Sequence, residues 1–367
     1  MDGKTVMMDE ILEQPGLLTS LRDTREKWTR PFTDLCKGHR FEKVVFVGNG
    51  SPYYAGCTLR YAAERCLHAH AEAVMAGAFS HHGSFDASGS IDPSRILLVC
   101  PAETGHSRGQ VDAARRARAL GIPAACTTLN PSGVLARECD VVLAKPGAGE
   151  RSVAATKHQT TALYLVLTCL VEAGRALGNL SDDQYGRYVR ALDAVPDHVS
   201  ESIGRSVAWF EENEVRLMRT PAFFLVGYGA NVGTVMEGAL KFYETHERPT
   251  YAFELEETLH GPFRALHKDD MVLLLSAEAG AERDRMALLA NAATRYCDNL
   301  VTIQSDRQAA ACDPLIIASS DVEDVCAIEY LIPFQVISAL LADRVGIDVT
   351  IPKVSELDPV MLPAYED

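Results

Sequence analysis

An internal repeat of strand-like segments constrains the fold of this chain more than any other feature. A short apolar run that ends in glycines occurs at 44–50 and again at 223–229, and a run that ends in an Ala-Glu-x-Gly turn occurs at 96–105 and at 271–280. Equivalent positions are 179 residues apart for Gly48 and Gly227, 175 for Glu103 and Glu278, and 173 for Cys139 and Cys312 (227 − 48, 278 − 103 and 312 − 139). The nearly constant spacing indicates two copies of one structural unit.

Each copy alternates strands with helical patterns, so the sequence predicts an α/β protein with two doubly wound, flavodoxin-like domains, each a parallel β-sheet flanked by helices. Strands are predicted at 44–47, 95–100, 123–128 and 141–144, within 223–229 and 271–280, and at 300–304 and 312–317. Helices are predicted at 7–36, 53–67, 111–120, 134–137, 153–177, 181–216 and 237–244. The predicted organisation is a helical lead-in (1–40), a first domain (41–180), a helical linker (181–215), a second domain (216–350) and a tail (351–367).

Composition and charge limit the compartment and the partners. Hydrophobic residues make up 47% of the 367 residues, and the formal net charge of −15 disfavours nucleic acid or an anionic membrane surface, because both need a basic face. The ten cysteines form no CxxC pair and several lie in apolar runs, which is typical of reduced, buried thiols and not of a disulfide framework or a zinc site. We find no signal-peptide pattern and no apolar run of the roughly 18 residues that a membrane span needs. We therefore expect a cytoplasmic protein.

Nucleotide and metal cofactors are not indicated by the loops. Gly48-x-Gly50 lacks the third glycine of a dinucleotide fingerprint, and neither glycine loop ends in Gly-Lys-Ser/Thr, so NAD and ATP are poor candidates. Histidines at 68, 70, 81 and 82 have no cysteine or carboxylate at ligand spacing, which favours ordinary surface or core histidines. We predict no metal and no cofactor.

A row of charges in the segment 237–244 is the candidate for chemistry. Glu237, Lys241 and Glu244 are spaced i, i+4 and i+7, which places them on one face of a helix. The alternative is a solvated helix face whose ion pairs are worth only a few tenths of a kcal/mol each.

Two loops could bind an anion. Ser51 and the turn Thr104-Gly105-His106-Ser107 each lie where a helix begins, and backbone N–H groups and hydroxyls at a helix N-terminus attract phosphate. A purely structural N-cap is the alternative for these hydroxyl residues. Glu103 lies beside the second loop and would repel a dianion unless it turns away to bind hydroxyls or an amine.

Four motifs together resemble proteins with two sugar isomerase (SIS) domains. They are the lead-in Met8-Asp-Glu-Ile-Leu-Glu-Gln-Pro15, the segment Val153-Ala-Ala-Thr-Lys157, the helix Glu237-Gly-Ala-Leu-Lys241-x-x-Glu244 and the turn His260-Gly-Pro262. The sequence is similar to the isomerase half of glucosamine-6-phosphate synthase and to stand-alone SIS-type aminosugar-phosphate deaminases and fructosamine-6-phosphate deglycases.

The resemblance implies a role for each matching residue. Glu244 corresponds to the base that moves a proton between C1 and C2 of the open-chain sugar, and His260 to a histidine that helps to open the ring from across a dimer interface. Lys241 and Glu237 correspond to residues that position hydroxyls and polarise the carbonyl end. The residues implied for substrate binding are Ser51, Glu103, Thr104, Ser107 and Val153. A homodimer with the active site at the subunit interface and a sugar phosphate as substrate follow as expectations.

The sequence also departs from the synthase pattern. We expect no glutaminase domain before the repeat. The usual Ser-Gln-Ser-Gly-x-Thr phosphate loop is replaced at 102–107, and the segment 354–367 has no lysine for a Schiff base with the ketose. We therefore expect an aminosugar-phosphate deaminase, fructosamine-6-phosphate deglycase or aldose–ketose isomerase that works through an enediol or enolamine without glutamine-dependent amidotransfer. The alternative is a non-catalytic SIS module that binds a sugar phosphate and regulates a partner.

Overall fold

Two five-stranded parallel β-sheets with the same strand order organise the computed structural model, which describes residues 5–305, 312–353, 356–357 and 364–366. The first sheet has the order β2-β1-β3-β4-β5 and consists of β1 (Lys43–Gly48), β2 (His70–Met75), β3 (Ile96–Pro101), β4 (Ala124–Thr128) and β5 (Val141–Ala144). The second has the order β7-β6-β8-β9-β10 and consists of β6 (Phe223–Gly227), β7 (Thr250–Glu254), β8 (Met271–Ser276), β9 (Asn299–Ser305) and β10 (Pro314–Ile317). The shared order confirms the predicted pair of doubly wound sheets.

Helices connect and cover the strands, as parallel strands require. They are α1 (Val6–Asp23), α2 (Arg25–His39), α3 (Ser51–Leu67), α4 (Ala76–His82), α5 (Arg108–Leu120), α6 (Lys157–Leu177), α7 (Asp182–Arg219), α8 (Asn231–Thr245), α9 (Ala281–Ala293), α10 (Cys326–Glu329) and α11 (Ile332–Val345). Short 3-10 turns lie at Pro93–Arg95, Ala136–Glu138, Glu257–His260 and Pro262–Ala265. Central strands such as β3 and β8 are buried along their whole length, which explains their uninterrupted apolar sequences.

The chain forms two compact units, each built from three segments. The first-sheet unit contains Leu17–Gly149, His158–Leu192 and Lys353–Asp367, and the second-sheet unit contains Met1–Gly16, Glu150–Lys157 and Asp193–Pro352. The start of the lead-in helix and the segment 150–157 thus belong with the second sheet. The predicted domain ranges remain a prediction, and their parts at 1–4, 306–311, 354–355, 358–363 and 367 lie outside the described residues.

Both sheets contain an edge strand that the sequence patterns did not predict. β2 and β7 each pair with one neighbour and are only partly buried, and their sequences His-Ala-Glu-Ala-Val-Met and Thr-Tyr-Ala-Phe-Glu mix polar and apolar residues. Because an edge strand with one covered face need not be uniformly apolar, it gives a weaker signal than a central strand.

Several helix boundaries also differ from the prediction. The lead-in is two helices that meet at Thr24, and the segment 134–137 contains a 3-10 turn where a short helix was predicted. The helix predicted to begin at Val153 begins instead at Lys157, because the residues before it form an ordered loop. Val153, one of the predicted substrate-binding residues, therefore lies in a loop and not in a helix.

Two helical segments, Lys157–Leu177 and Cys326–Val345, are long and apolar enough to cross a membrane by length and composition alone, contrary to the expectation that no such run exists. Their apolar windows are 78% and 89% buried inside the protein, which is the character of core helices. All ten cysteines are free thiols and most are buried, as predicted.

Candidate active site

The predicted charged row lies on α8. This helix packs its apolar side against the second sheet and α11, and Gly238 allows the close approach: a β-carbon at this position would lie 2.7 Å from the ring of Phe334. The Lys241 ammonium nitrogen is 3.2 Å from Glu237 Oε1 and 2.7 Å from Glu244 Oε2. The predicted spacing therefore produces one connected carboxylate–ammonium–carboxylate row.

The three side chains of this row differ in how deeply they are buried, so they cannot all have the same role. The side chains of Glu237 and Lys241 are 2% and 0% exposed, whereas that of Glu244 is 24% exposed. A solvated row of surface ion pairs, the alternative considered above, does not describe a pair this deeply buried. Glu244 is the carboxylate of the row that a small molecule can reach, and Glu237 lies behind Lys241.

The lysine is held in its charged form. Burial alone would lower the pKa of the Lys241 ammonium, but the carboxylates of Glu237 and Glu244 outweigh this effect and raise the pKa above its ordinary value. A permanently protonated ammonium cannot act as an amine nucleophile or a base at neutral pH. It can stabilise negative charge that develops beside Glu244.

His260 lies on a separate, exposed turn of the second-sheet unit. It is the last residue of the 3-10 turn Glu257–His260, and Gly261 follows with φ 139°, a conformation that favours glycine. The side chain is close enough to help lower the pKa of Glu256, whose largest stabilising partner is Arg285. Within the described part of the chain, no ion pair joins His260 to the α8 row.

The two predicted anion-binding loops both lie in the first-sheet unit, at the carboxyl ends of β1 and β3. Ser51 is the first residue of α3, preceded by Gly50 with φ 57°, and Ser107 directly precedes α5. The Ser107 hydroxyl is exposed and makes no capping hydrogen bond to α5, so it is not used as a structural cap. Thr104 is also exposed, and its hydroxyl lies 3.5 Å from the His106 amide.

A cavity of about 780 Å³ opens beside these loops. Its lining includes Asn49, Gly50, Ser107 and Arg108 together with residues of α4, and it lies at the switch point between β1 and β3, where ligands bind in sheets of this order. Glu103 is fixed through its backbone, because its carbonyl accepts a hydrogen bond of 2.7 Å from the Leu129 amide.

The end of the chain reaches the same region, which the sequence did not predict. Ala364 lines the cavity and pairs with Ser107 in an antiparallel bridge. Tyr365 donates its amide hydrogen to the His106 carbonyl (2.9 Å) and its hydroxyl hydrogen to Asp112 (2.8 Å). Its ring lies under the Arg115 guanidinium, 4.4 Å away.

Val153 belongs to the second-sheet unit, as does the α8 row. It lies in the loop before α6, is 39% exposed, and donates its amide hydrogen to the Val349 carbonyl at 2.8 Å. The structure thus brings Glu237, Lys241 and Glu244 into contact, and gathers Ser51, Thr104 and Ser107 at the ends of two neighbouring strands of the other unit.

The tandem sheets and the motifs at 8–15, 153–157, 237–244 and 260–262 resemble those of proteins with two SIS domains. The chain is similar to glutamine–fructose-6-phosphate aminotransferases (isomerizing), and the match covers 95% of its length. The identity is 25% to the enzyme of Pyrobaculum aerophilum and 28% to that of Mycolicibacterium paratuberculosis. The chain covers 56% of each of these relatives, so it spans about half the length of the curated proteins that it matches. No family model matches the chain.

Solved structures share the fold. The C-terminal domain of glucosamine-fructose-6-phosphate aminotransferase from Francisella tularensis superposes with a TM-score of 0.83 at 19% identity, covering 95% of this chain and 98% of that one. Glucosamine-6-phosphate deaminase from Thermotoga maritima gives 0.74 at 20% identity (95% and 98%), and tagatose-6-phosphate ketose/aldose isomerase from Escherichia coli gives 0.75 at 17% identity (99% and 98%). These neighbours establish the fold.

Proposed function

We propose that the protein is a phosphosugar enzyme that transfers a proton between C1 and C2 of a ketosamine or aminosugar phosphate, with Glu244 as the base. The observation that carries this proposal is the α8 row, in which one accessible carboxylate is backed by a buried, permanently charged ammonium. The relatives and fold neighbours are named for activities on ketose or aminosugar phosphates, which supports the same substrate class.

The proton transfer follows from the chemistry of a carbon acid. Glu244 removes the proton from the carbon next to the carbonyl, and the electron pair of that C–H bond moves into the carbonyl to give an enediolate or, with an amine on the neighbouring carbon, an enolamine. Lys241 stabilises the negative charge on oxygen. Glu244 then returns the proton to the neighbouring carbon.

The fate of the amine defines the finer reaction. Protonation of an enolamine at the carbon that bears no nitrogen yields an imine, and addition of water to the imine releases ammonia or a substituted amine together with a carbonyl sugar. We propose this hydrolytic outcome, a deaminase or deglycase reaction, ahead of simple aldose–ketose isomerisation. Ser51, Thr104 and Ser107 are proposed to hold the phosphate and Glu103 a hydroxyl or the amine.

His260 is proposed to act at the site of a second copy of the chain, where it opens the sugar ring. Its exposed position at the end of the turn Glu257–His260 leaves it accessible to a partner. We therefore propose a homodimer whose active site is completed at the interface.

The decisive test follows proton transfer directly. The pure protein is incubated in D2O with glucosamine 6-phosphate, fructose 6-phosphate and a fructosamine 6-phosphate, and NMR detects deuterium at C1 or C2 while a second assay detects released amine. Glu244→Gln should lower the rate about 10²- to 10⁴-fold, the usual contribution of a general base, whereas Glu212→Gln, at an exposed position of α7, should leave it unchanged.

Two outcomes would overturn the proposal. Exchange at the wild-type rate in the Glu244 variant would remove Glu244 as the base. Binding of a sugar phosphate in a calorimeter without any exchange or turnover would instead favour a non-catalytic SIS module that regulates a partner.

A further inference from the structure

The lead-in motif of α1 directs its polar side chains at the loop that carries Val153. Glu10 is 2% exposed, and its carboxylate accepts hydrogen bonds from the Arg151 amide (2.5 Å), the Ser152 amide (3.3 Å) and the Ser152 hydroxyl (2.5 Å). These three donors come from two consecutive residues. A single carboxylate therefore fixes the backbone next to Val153.

The other polar residues of the motif extend the same contact. Glu13 pairs with the buried Lys157 ammonium at 2.7 Å. Gln14 donates to the side-chain oxygen of Gln335 at 2.7 Å, and the side-chain nitrogen of Gln335 donates to the Thr156 carbonyl at 3.2 Å. The motif thus reaches the loop near its beginning and at its end.

The loop is also closed on itself. The Glu150 carboxylate accepts hydrogen bonds from the Thr156 amide (2.6 Å), the Thr156 hydroxyl (2.5 Å) and the Lys157 amide (2.9 Å), which satisfies two of the free N–H groups at the start of α6. Between these anchors the Ser152 hydroxyl lies 3.0 Å from the Ala154 carbonyl. Val153 lies between these hydrogen-bonded residues and is 39% exposed.

Burying the Glu10 carboxylate is costly. Charge-assisted hydrogen bonds to backbone N–H groups are, however, strong and directional, so they define the position of a loop more closely than apolar contacts do.

We propose that Glu10 is a positioning residue for the reaction: it sets the backbone of the 150–156 loop and with it the position of Val153, the residue of this loop that the family resemblance implies for substrate binding. The proposal rests on the proposed function, because Val153 matters only if a sugar phosphate binds there. Glu10 acts through the loop and does not itself touch the substrate. Glu13 and Gln14 support the same loop at its other end.

The test compares Glu10→Gln with Asp9→Asn, which removes a carboxylate from the adjacent, exposed position of the same helix. Hydrogen–deuterium exchange measured by mass spectrometry on the full chain should show at least tenfold faster exchange at 150–156 in Glu10→Gln, with α8 unchanged and Asp9→Asn like wild type. In steady-state assays, KM should rise about tenfold and kcat stay within twofold, since a substrate-binding contact is weakened and the base is untouched.

Ser152→Ala provides a second route to the same loop and keeps the inference testable if Glu10→Gln does not fold. It removes one of the three donors, so KM should rise in the same direction by a smaller factor, and the double variant should show less than the product of the two single effects. Unchanged exchange and unchanged KM in Glu10→Gln and in Ser152→Ala would overturn the positioning role. Loss of activity in Glu244→Gln with unchanged KM in Glu10→Gln would reject this inference alone, whereas activity retained in Glu244→Gln would reject the proposed function.

Discussion

The two sheets have one topology but use the carboxyl ends of their strands differently. In the first-sheet unit, Asn49 follows β1 and lines the cavity at the switch point. In the second-sheet unit the equivalent residue, Tyr228, follows β6 and is 1% exposed. Its hydroxyl accepts a hydrogen bond from the Ala277 amide (2.9 Å) and lies 3.3 Å from the Glu278 carbonyl, so it spans the ends of β6 and β8.

The equivalent turns diverge in the same way. Thr104 and Ser107 of the first copy correspond to Ala279 and Glu282 of the second, at the repeat spacing of 175 residues (279 − 104 and 282 − 107). Burial raises the pKa of the Glu278 carboxyl in this second turn. The carboxylates of Glu278 and Glu282 would repel a phosphate, and the buried Tyr228 side chain occupies the space beside this turn. We infer that the copies have specialised: the first keeps the ligand crevice, and the second supplies the reactive row on α8.

The largest expected effect comes from the row itself. Lys241→Met leaves Glu237 buried without its ammonium, which should lower the free energy of unfolding by about 3–5 kcal/mol, the usual cost of breaking a buried ion pair. Urea denaturation measures this loss. The double variant Glu237→Gln with Lys241→Met should recover most of the stability but none of the activity. Recovery of activity would show that the Lys241 ammonium has only a structural role and would contradict the inference that the second copy supplies the reactive row.

A pH effect on stability is expected next, and it belongs to the second-sheet unit. His246 is 4% exposed among Phe223 and Phe242, and burial, with a smaller contribution from Arg248, lowers its pKa from 6.5 to about 3. In the unfolded chain the imidazole of His246 binds a proton with a pKa near 6.5, whereas in the folded chain it stays neutral until the pH approaches 3. The free energy of unfolding should therefore fall by up to about 1.4 kcal/mol per pH unit as the pH drops from 6.5 towards 3.

His246→Phe is the matched control, since it keeps an aromatic ring in the cluster and removes the titrating group. Neither ring nitrogen of His246 has a hydrogen-bond partner in the described part of the chain, so the variant loses no hydrogen bond made by the ring. Denaturation at several pH values should give a shallower slope for the variant below pH 6.5. Equal slopes for the two proteins would assign the acid sensitivity to other groups.

A third test exploits the equivalence of Ser107 and Glu282. Ser107→Ala should raise KM for a phosphosugar about tenfold with little change in kcat, because a hydrogen bond to a charged group contributes roughly 1.5–3 kcal/mol. Glu282→Gln alters the equivalent position of the second copy and should leave KM unchanged. Similar shifts in both variants would contradict the specialisation of the first crevice.

The sequence predicted the central strands and the charged row because both have strong local patterns. β3 and β8 are uninterrupted apolar runs, and the spacing of Glu237, Lys241 and Glu244 defines one helix face whatever surrounds it. Edge strands β2 and β7 lack such a pattern.

Long-range contacts account for what the sequence could not predict. Nothing in the spacing of the α8 row shows that Lys241 is fully buried while Glu244 remains accessible. The role of Glu10 depends on backbone donors 141 and 142 residues away, and the start of α6 at Lys157 depends on Glu150 folding back to Thr156. No local propensity encodes these partners.

The smallest expected effect tests whether the second crevice is only structural. Tyr228→Phe removes the hydroxyl that accepts the Ala277 amide hydrogen and leaves this buried amide without its acceptor, so the free energy of unfolding should fall by about 1 kcal/mol, the lower end of the cost of such a loss. Because the phenyl ring still fills the space between the strand ends, KM and kcat should match wild type. A change in KM at constant stability would mean that the Tyr228 hydroxyl contributes to substrate binding. The two copies would then share that task, and Glu278 beside it would become the next residue to replace.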